Sequence, residues 1–241
     1  MLNVEALEDR SNPSNFYQPT ESVAFLNPTN PGELDVVRTY PGEGMGGRLT
    51  VRTDVGGRVL YDGFPFGDQA RFGGAAVVIP GIGADPDKLA FYFPNPGAGP
   101  RVGILEVQGS ELVFTASYFA LPALYRGGIQ MQAVSYGGRP YELACLAGAM
   151  GGPVLSMMGL DGSIRIQILV GPADDRAGGY ELTPTGGAVT SPVSGEWCIP
   201  IGYKYQPGDP PRYQWVHEFD LNTGQDRSSE FDILNDGIRI D

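Results

Sequence analysis

The single histidine of the chain, His217, stands beside Glu218, and a histidine next to a carboxylate is a pairing that general acid–base catalysis uses. The surrounding run, RYQWVHEF, has the composition of a β-strand. Consecutive residues of a strand point to opposite faces of the sheet, so these two side chains do not form a site by themselves. We therefore interpret His217 as a strand residue and not as a catalytic base.

Pairs of acidic residues offer a second kind of chemistry, because two carboxyl groups facing each other across a cleft can hydrolyse a glycosidic bond. Asp85 with Asp87 and Asp174 with Asp175 are pairs of this kind. Acidic surface loops produce the same pattern without any activity, and the sequence contains no G-x-S-x-G, H-E-x-x-H or Walker-type glycine motif. We expect no catalytic residue and no cofactor.

Length and charge narrow the class of protein. A chain of 241 residues is long enough for one all-β domain with an ordinary core. The formal net charge of −12 repels phosphate backbones and anionic lipid, which argues against a nucleic-acid partner. No run of eighteen apolar residues occurs, so we expect no membrane-spanning helix.

Turn-forming residues recur along the chain at an interval of about 53 residues, and this period must position any functional side chain. Three markers share it: the residue that opens a strand-like run (Gly47, Pro100 and Pro153), a turn glycine (Gly56, Gly109 and Gly162), and a Gly-Gly pair (Gly73-Gly74, Gly127-Gly128 and Gly178-Gly179). A period of this size indicates an array of supersecondary units.

Each repeat contains four short apolar runs separated by turn residues, as expected for strands. In the first unit they are VAFL, LDVVRTY, RLTVRT and RVLYDGF; in the second they are AAVVI, KLAFYF, RVGILEV and ELVFTASYF. Four strands per unit is the content of a propeller blade. The sequence therefore predicts an all-β fold, a β-propeller-like array of about four four-stranded units.

We divide the chain into an amino-terminal segment, 1–19, and a single repeat domain, 20–241. The units are at about 23–74, 75–128, 129–179 and 180–241, and the last contains about five inserted residues before its third strand. Pairing of the final run, IRID, with the first unit would close a ring of sheets and remove an exposed edge. Whether four units form a closed ring or an open arc stays open at this point.

The two cysteines, Cys145 and Cys198, are one period of 53 residues apart and should lie on strands of neighbouring units. A disulfide requires Cα atoms within roughly 4.4 to 6.8 Å, which equivalent positions of adjacent units need not reach. No C-x-x-C or Cys/His spacing predicts a zinc site. We expect two buried thiols.

Two segments resemble known families. The run GPRVGILEVQGSELVFTASYFALPALYRGGIQ, from Gly99 to Gln130, resembles the FG-GAP/VCBS-type β-propeller repeat of bacterial surface proteins, and GGRLTVRT with GFPFGDQARFGG resembles it more weakly. The segment 1–19 is similar to a V-E-x-L-E-x-R-x-x-P-S motif at the front of planctomycete-type surface and exported proteins. The matching residues are Val4, Glu5, Leu7, Glu8, Arg10, Pro13 and Ser14. This resemblance implies a secreted or cell-envelope protein.

The FG-GAP resemblance implies a calcium loop, D-x-N-x-D-G-x-x-D, between the first two strands of each unit, because Ca²⁺ takes several oxygen ligands. The matching positions are Asn27, Thr29, Pro31, Gly32 and Asp35 in the first unit, Pro80, Ile82, Ala84, Asp85 and Lys88 in the second, and Ala133, Ser135, Gly137, Gly138 and Tyr141 in the third. No loop has more than one carboxylate, and Lys88 repels a cation. We expect no metal site.

One segment departs from the repeat, EWCIPIGYKYQPGDPPRYQW, and it contains both tryptophans of the chain. Aromatic side chains on a loop can stack on sugars or anchor a protein partner, or they can fill the core of the fourth unit. We predict that Tyr203 and Tyr205 lie on an exposed loop at the rim of the fourth unit and bind a ligand. Trp197 and Trp215 should be largely buried strand residues that support this loop.

The sequence thus predicts a non-catalytic, secreted or cell-envelope β-propeller-like module that binds a partner or has a structural role. The expected partner is a protein or a carbohydrate at the cell surface, and the oligomeric state is open. The alternative is a secreted carbohydrate-active hydrolase or lyase that uses carboxylates on the propeller face.

Overall fold

A computed structural model of the chain describes residues 20–26, 34–41, 46–68, 72–148, 152–170, 180–182, 188–190, 193–203, 216–225 and 227. These residues form strands, turns and loops, and none of them lies in a helix. In this part of the chain there is accordingly no helix of the length and apolarity that crossing a membrane requires. The segment 1–19, the run IRID and the Asp174/Asp175 pair lie outside the described residues.

Four antiparallel sheets follow one another along the chain, and in each of the first three the strands are paired in sequence order. The first sheet consists of β1 (Thr20–Ala24), β2 (Asp35–Thr39), β3 (Leu49–Thr53) and β4 (Val59–Gly63). The second consists of β5 (Ala75–Ile79), β6 (Lys88–Tyr92), β7 (Arg101–Gln108) and β8 (Glu111–Phe119). The third consists of β9 (Ile129–Val134), β10 (Glu142–Ala147), β11 (Val154–Met158) and β12 (Ile164–Leu169).

The fourth sheet has an interrupted first strand. Two short pieces, β13 (Tyr180–Leu182) and β14 (Val189–Thr190), pair with the same edge of β15 (Trp197–Tyr203), and β16 (Val216–Asp220) pairs with the other edge. Twelve residues separate β15 from β16, whereas six separate the corresponding strands β10 and β11. The fourth unit therefore differs from the others in the two places where chain has been inserted.

The prediction of an all-β fold built from short strands is confirmed. Strands β5 and β8 cover the predicted runs AAVVI and ELVFTASYF residue for residue. The second strands of the four sheets begin at residues 35, 88, 142 and 197, which are intervals of 53, 54 and 55. The period read from glycine and proline is thus the spacing of successive four-stranded sheets.

The core lies between successive sheets, in three clusters. The second strands contribute side chains from both of their faces: Leu89 and Phe91 of β6 pack toward the first sheet, whereas Ala90 packs toward the third. In β10, Leu143 belongs to the cluster shared with the second sheet and Ala144 to the cluster shared with the fourth. Burial on both faces explains why these strands read as unbroken apolar runs, KLAFYF and ELACLA.

The first strands of the sheets touch in succession. Strand β1 contacts β5, β5 contacts β9, and β9 contacts β13. At the opposite end of the first two sheets, the fourth strands β4 and β8 also contact each other. Neighbouring sheets therefore face each other with their equivalent strands aligned.

Main-chain hydrogen bonds at the first two Gly-Gly pairs connect the first sheet to the second and the second sheet to the third. The amide of Gly74 donates to the carbonyl of Tyr40 at 2.8 Å, and the amide of Ile129, directly after the next pair, donates to the carbonyl of Phe93 at 3.1 Å. A Cβ atom on Gly74 would lie 2.3 Å from the ring of Phe91, and one on Gly128 would lie 2.3 Å from the carbonyl oxygen of Pro94. The pairs recur because only glycine leaves room for this approach.

Candidate functional site

The aromatic segment of the fourth unit is described only in part. Trp197 begins β15, which confirms the predicted strand position, and it packs against the core between the third and fourth sheets. It is half-buried, whereas the sequence predicts a largely buried side chain. Tyr203 is the last residue of β15, opposite Tyr180 on β13. Tyr205 and Trp215 lie outside the described residues, so binding by Tyr203 and Tyr205 stays a prediction.

The predicted burial of both thiols is confirmed, and their burial removes them from nucleophilic chemistry. Cys145 on β10 and Cys198 on β15 are completely buried in different sheets. Desolvation raises the pKa of the Cys145 thiol to about 12, so it is protonated at neutral pH, whereas the thiolate is the reactive form. Cys145 therefore acts as a small core residue.

His217 and Glu218, the sequence candidates for an acid–base pair, are consecutive residues of β16, opposite Ile201 and Pro200. The strand assignment is thereby confirmed for His217 and Glu218, and residues 212–215 of the predicted run lie outside the described residues. The geometry of a strand sets adjacent positions on opposite faces.

Asp87, one of the candidate acid–base carboxylates, joins the first and second sheets. Its Oδ2 accepts the amide of Phe25 at 2.8 Å and its Oδ1 accepts the amide of Gly81 at 2.9 Å, while its own amide donates to the carbonyl of Phe25 at 2.6 Å. Phe25 follows β1 and Gly81 follows β5. The carboxylate thus holds together the loops that leave two neighbouring first strands, and both of its oxygens are occupied by backbone amides.

Two described residues that match the family's calcium loop, Asp35 and Lys88, also have structural contacts. Asp35 is fully buried, and its Oδ2 accepts the amide of Leu26 at 3.1 Å. The ammonium group of Lys88 forms an ion pair with Glu106 at 2.6 Å. Within the residues that the structure describes, no three His, Cys, Asp or Glu side chains are grouped to hold a metal ion.

A second polar cluster joins the third and fourth sheets. Arg165 on β12 donates to both carboxylate oxygens of Glu142, at 2.7 and 2.6 Å, and to the carbonyl of Leu221 beyond β16 at 2.5 Å. The hydroxyl of Tyr136 accepts a further hydrogen bond from the same guanidinium group. Hydrogen bonding to Glu142 raises the pKa of Arg165 above its usual value. These contacts stabilise the junction between the sheets.

At the outer rim of the first two sheets lies a surface of aromatic and basic side chains that is open to solvent. We define the phenylalanine–arginine platform as Phe66, Arg101, Phe114 and Phe119. The ring of Phe66 stacks on that of Phe114 with centroids 5.9 Å apart and an interplanar angle of 23°, and the guanidinium carbon of Arg101 lies 4.8 Å from the Phe66 centroid. Phe119 lies directly opposite Arg101 on the neighbouring strand.

Phe66 anchors the platform in the core, whereas Phe114 and Phe119 are open to solvent. Phe66 makes edge-to-face contacts with the buried Phe91 and Phe93, at centroid distances of 5.4 and 5.3 Å, which anchor it in the first core cluster. Phe114 is nevertheless 40% exposed and Phe119 is 52% exposed. Large side chains that are both fixed and accessible are typical of binding surfaces, because little conformational entropy remains to be lost.

Arg101 adds a directed charge to this surface. Its Nε donates to the Ser117 hydroxyl at 3.0 Å, which holds the guanidinium plane over the Phe66 ring. The side chain is exposed, and the remaining nitrogens of the fork provide the donors that pair with a carboxylate. The arrangement can therefore bind an apolar group next to an anionic group.

The platform is not visible in the sequence, because Phe66 and Phe114 belong to different units. One signal was present: Gly103 interrupts the apolar strand β7, and glycine inside a strand marks the close approach of another group. A Cβ atom there would lie 2.2 Å from Phe114 Cε1 and 3.1 Å from Phe66 Cε1.

Neither the family models nor the curated proteins contain a match to this chain.

Proposed function

We propose that this protein is a non-catalytic binding module with a β-propeller-like arrangement of its four sheets, acting as a secreted or cell-envelope protein. The succession of first-strand contacts from β1 to β13 and the packing of sheets face to face support the propeller-like arrangement. The resemblance of Gly99 to Gln130 to FG-GAP/VCBS repeats and of the segment 1–19 to an export motif supports the location.

The platform is the observation that carries the binding function. Aromatic residues and arginine are the side chains most enriched at the energetic centres of protein interfaces. The platform combines three phenylalanines with one arginine in a molecule whose net charge is −12. Its partner is a protein surface that presents an apolar side chain beside a carboxylate.

The reactive groups described above support a non-catalytic role, because structural contacts occupy them. Asp87 is bound by backbone amides, Glu142 is bound by Arg165, and Cys145 is buried as a thiol. The competing hydrolase or lyase activity would appear as turnover on a panel of polysaccharides, abolished by a single Asp or Glu substitution. Such turnover would replace this proposal.

A displayed peptide library selected on the purified protein tests the platform. We expect the selected peptides to contain an acidic residue next to an apolar one. Their affinity should fall by about tenfold or more on Phe114→Ala or Arg101→Gln, since hot-spot truncations cost about 2 kcal/mol or more. Leu124→Ser is the matched control, because Leu124 is an apolar side chain that is 88% exposed outside the platform. Equal losses in the control and the platform variants would refute the assignment.

An experimental structure together with the mass in solution tests the arrangement of the sheets. We expect the four first strands to surround a common axis. Sheets stacked in a straight line would contradict the propeller-like arrangement and would leave the platform to be judged by the peptide experiment alone.

A further inference from the structure

The outward face of the first sheet carries three arginines, two of which are neutralised. Arg38 forms an ion pair with Glu21 at 2.7 Å, and Arg48 binds Asp62 through two hydrogen bonds of 2.9 Å. Arg52 lies on β3 two residues beyond Thr50, the residue opposite Arg38. It is exposed and has no carboxylate partner among the described residues. Of these three arginines, Arg52 is therefore the one whose guanidinium group can pair with a carboxylate from another molecule.

A hollow of about 170 Å³ lies beside Arg52. Arg38, Thr50 and Asp54 contribute polar groups to its lining, and Val36 contributes an apolar surface. This volume is below the roughly 300 Å³ at which pockets begin to hold drug-sized ligands, so the hollow fits a single small group. We refer to it as the arginine hollow.

The side chains of the arginine hollow match a group that is both anionic and hydroxylated. The guanidinium fork of Arg52 suits a carboxylate, which it can bind through two parallel hydrogen bonds. The Thr50 hydroxyl can donate and accept, and the Asp54 carboxylate accepts hydrogen bonds from hydroxyl groups. Val36 provides an apolar surface for the C–H face of a sugar.

The net charge of the protein decides between a polyanion and an isolated anionic group. A long acidic polymer would meet repulsion from Asp54 and from a surface whose formal charge is −12. A single carboxylate can instead pair with Arg52, the arginine of the hollow that has no ion pair, while hydroxyl groups of the same sugar meet Asp54. We propose that the arginine hollow binds one uronic-acid residue carried on an otherwise neutral glycan. This site shares no residue with the platform and does not depend on it.

Calorimetric titration with xylotriose carrying one 4-O-methylglucuronic acid tests this proposal, with xylotetraose as the neutral ligand and oligogalacturonate as the polyanion. We expect the singly charged sugar to bind, the neutral sugar not to bind, and the polyanion to bind more weakly per carboxylate. Arg52→Gln should weaken binding by about tenfold or more, because hydrogen bonds to charged groups are the strong ones. Arg52→Lys should give an intermediate loss, since it keeps the charge and removes the fork.

Arg58→Gln is the matched control. Arg58 is exposed, lies directly before β4 and does not line the arginine hollow, and its removal changes the net charge equally. We expect an affinity within about twofold of the unmodified protein, and unchanged thermal unfolding in all three variants because both arginines are exposed.

Several outcomes would overturn the proposal. They are a singly charged sugar that does not bind, an equal loss in Arg58→Gln and Arg52→Gln, and tighter binding of oligogalacturonate. Acetate or a glutamate-rich peptide binding as tightly as the acidic sugar would show that the hydroxyl groups are not recognised, and would also overturn it.

Discussion

A Cβ atom placed on Gly103 would lie 2.2 Å from Cε1 of Phe114, so the backbone of β7 and the phenylalanine ring of β8 are in direct contact. Phe114 is the cross-strand partner of Leu105. Its ring extends along the sheet and covers Gly103, which lies two residues before Leu105. The absence of a side chain at residue 103 is therefore what lets Phe114 stack on Phe66.

Gly103→Ala should disrupt the platform more than the fold. The new methyl group would push the ring of Phe114 outward, and because this ring is partly exposed, we expect a stability change within about 1 kcal/mol. The ring-current shifts of Phe66 in NMR spectra should decrease, and selected peptides should bind at least tenfold more weakly. Gly99→Ala is the control, since the nearest atom to its added Cβ is Arg126 at 3.6 Å. Unchanged Phe66 resonances in Gly103→Ala would contradict the stacking geometry.

Asp87→Ala should weaken the junction between the first and second sheets. Two backbone amides, those of Phe25 and Gly81, lose their acceptor, and we expect the free energy of unfolding to fall by about 2 kcal/mol. Hydrogen exchange at these two amides should accelerate more than elsewhere. Asp85→Ala is the control, because Asp85 is exposed. A loss of stability equal in both variants would show that charge, and not amide binding, is responsible.

Arg165 and Glu142 should be energetically coupled. Their side chains are 27% and 16% exposed, so the ion pair is only partly screened, and Arg165 also binds the carbonyl of Leu221. We expect Arg165→Gln to lower the free energy of unfolding by about 2 kcal/mol and a double-mutant cycle with Glu142→Gln to give a coupling of about 1 kcal/mol. Urea unfolding measures both quantities. Strictly additive losses would show that the two side chains do not act together.

Stability should decline under alkaline conditions, beginning near pH 9. Burial raises the pKa of Cys145 to about 12, and burial likewise raises that of Tyr92 to about 12. When the pKa of an acid is higher in the folded than in the unfolded state, its contribution to stability is complete at pH values below the unfolded-state pKa. For cysteine this unfolded-state pKa is about 8.5. The contribution is lost as the pH rises from there toward 12. The slope is about 1.4 kcal/mol per pH unit for one such group.

Cys145→Ala separates the two groups. Tyrosine in the unfolded chain ionises only near pH 10, so between about pH 8.5 and 9.5 the variant should lose less stability than the unmodified protein. Urea unfolding at closely spaced pH values measures this difference. Identical pH profiles for the two proteins would mean that the thiol is not desolvated in the folded state.

The strands could be predicted from the sequence because turn chemistry and strand composition agree at each repeat. AAVVI and ELVFTASYF match β5 and β8, since each is bounded by residues that favour turns. The Gly-Gly pairs were visible as markers, but their reason was not. It is the approach of Gly74 to Phe91 and of Gly128 to Pro94, contacts between residues distant in sequence that no local pattern contains.

The sites were less predictable because their residues are far apart in sequence. Phe25 and Asp87 are 62 residues apart, and only the packing of two sheets shows that this carboxylate binds backbone amides. Phe66 and Phe114 are brought together in the same way. The aromatic segment from Trp197 drew attention through composition alone, which identifies an unusual stretch of chain without showing where its side chains lie.

The carbonyl groups of Tyr40 and Phe93, which accept the hydrogen bonds at the Gly-Gly junctions, both belong to the sheet that leaves the ribosome first. A completed sheet therefore presents an acceptor before the matching donor has been synthesised, and each new sheet docks onto a surface that already exists. The same property would allow the array to be extended, because a unit duplicated within the gene would bring an amide donor at or next to its Gly-Gly pair and meet a carbonyl acceptor of the same kind. Duplication of a unit would thus need no new kind of main-chain hydrogen bond at the junction between sheets.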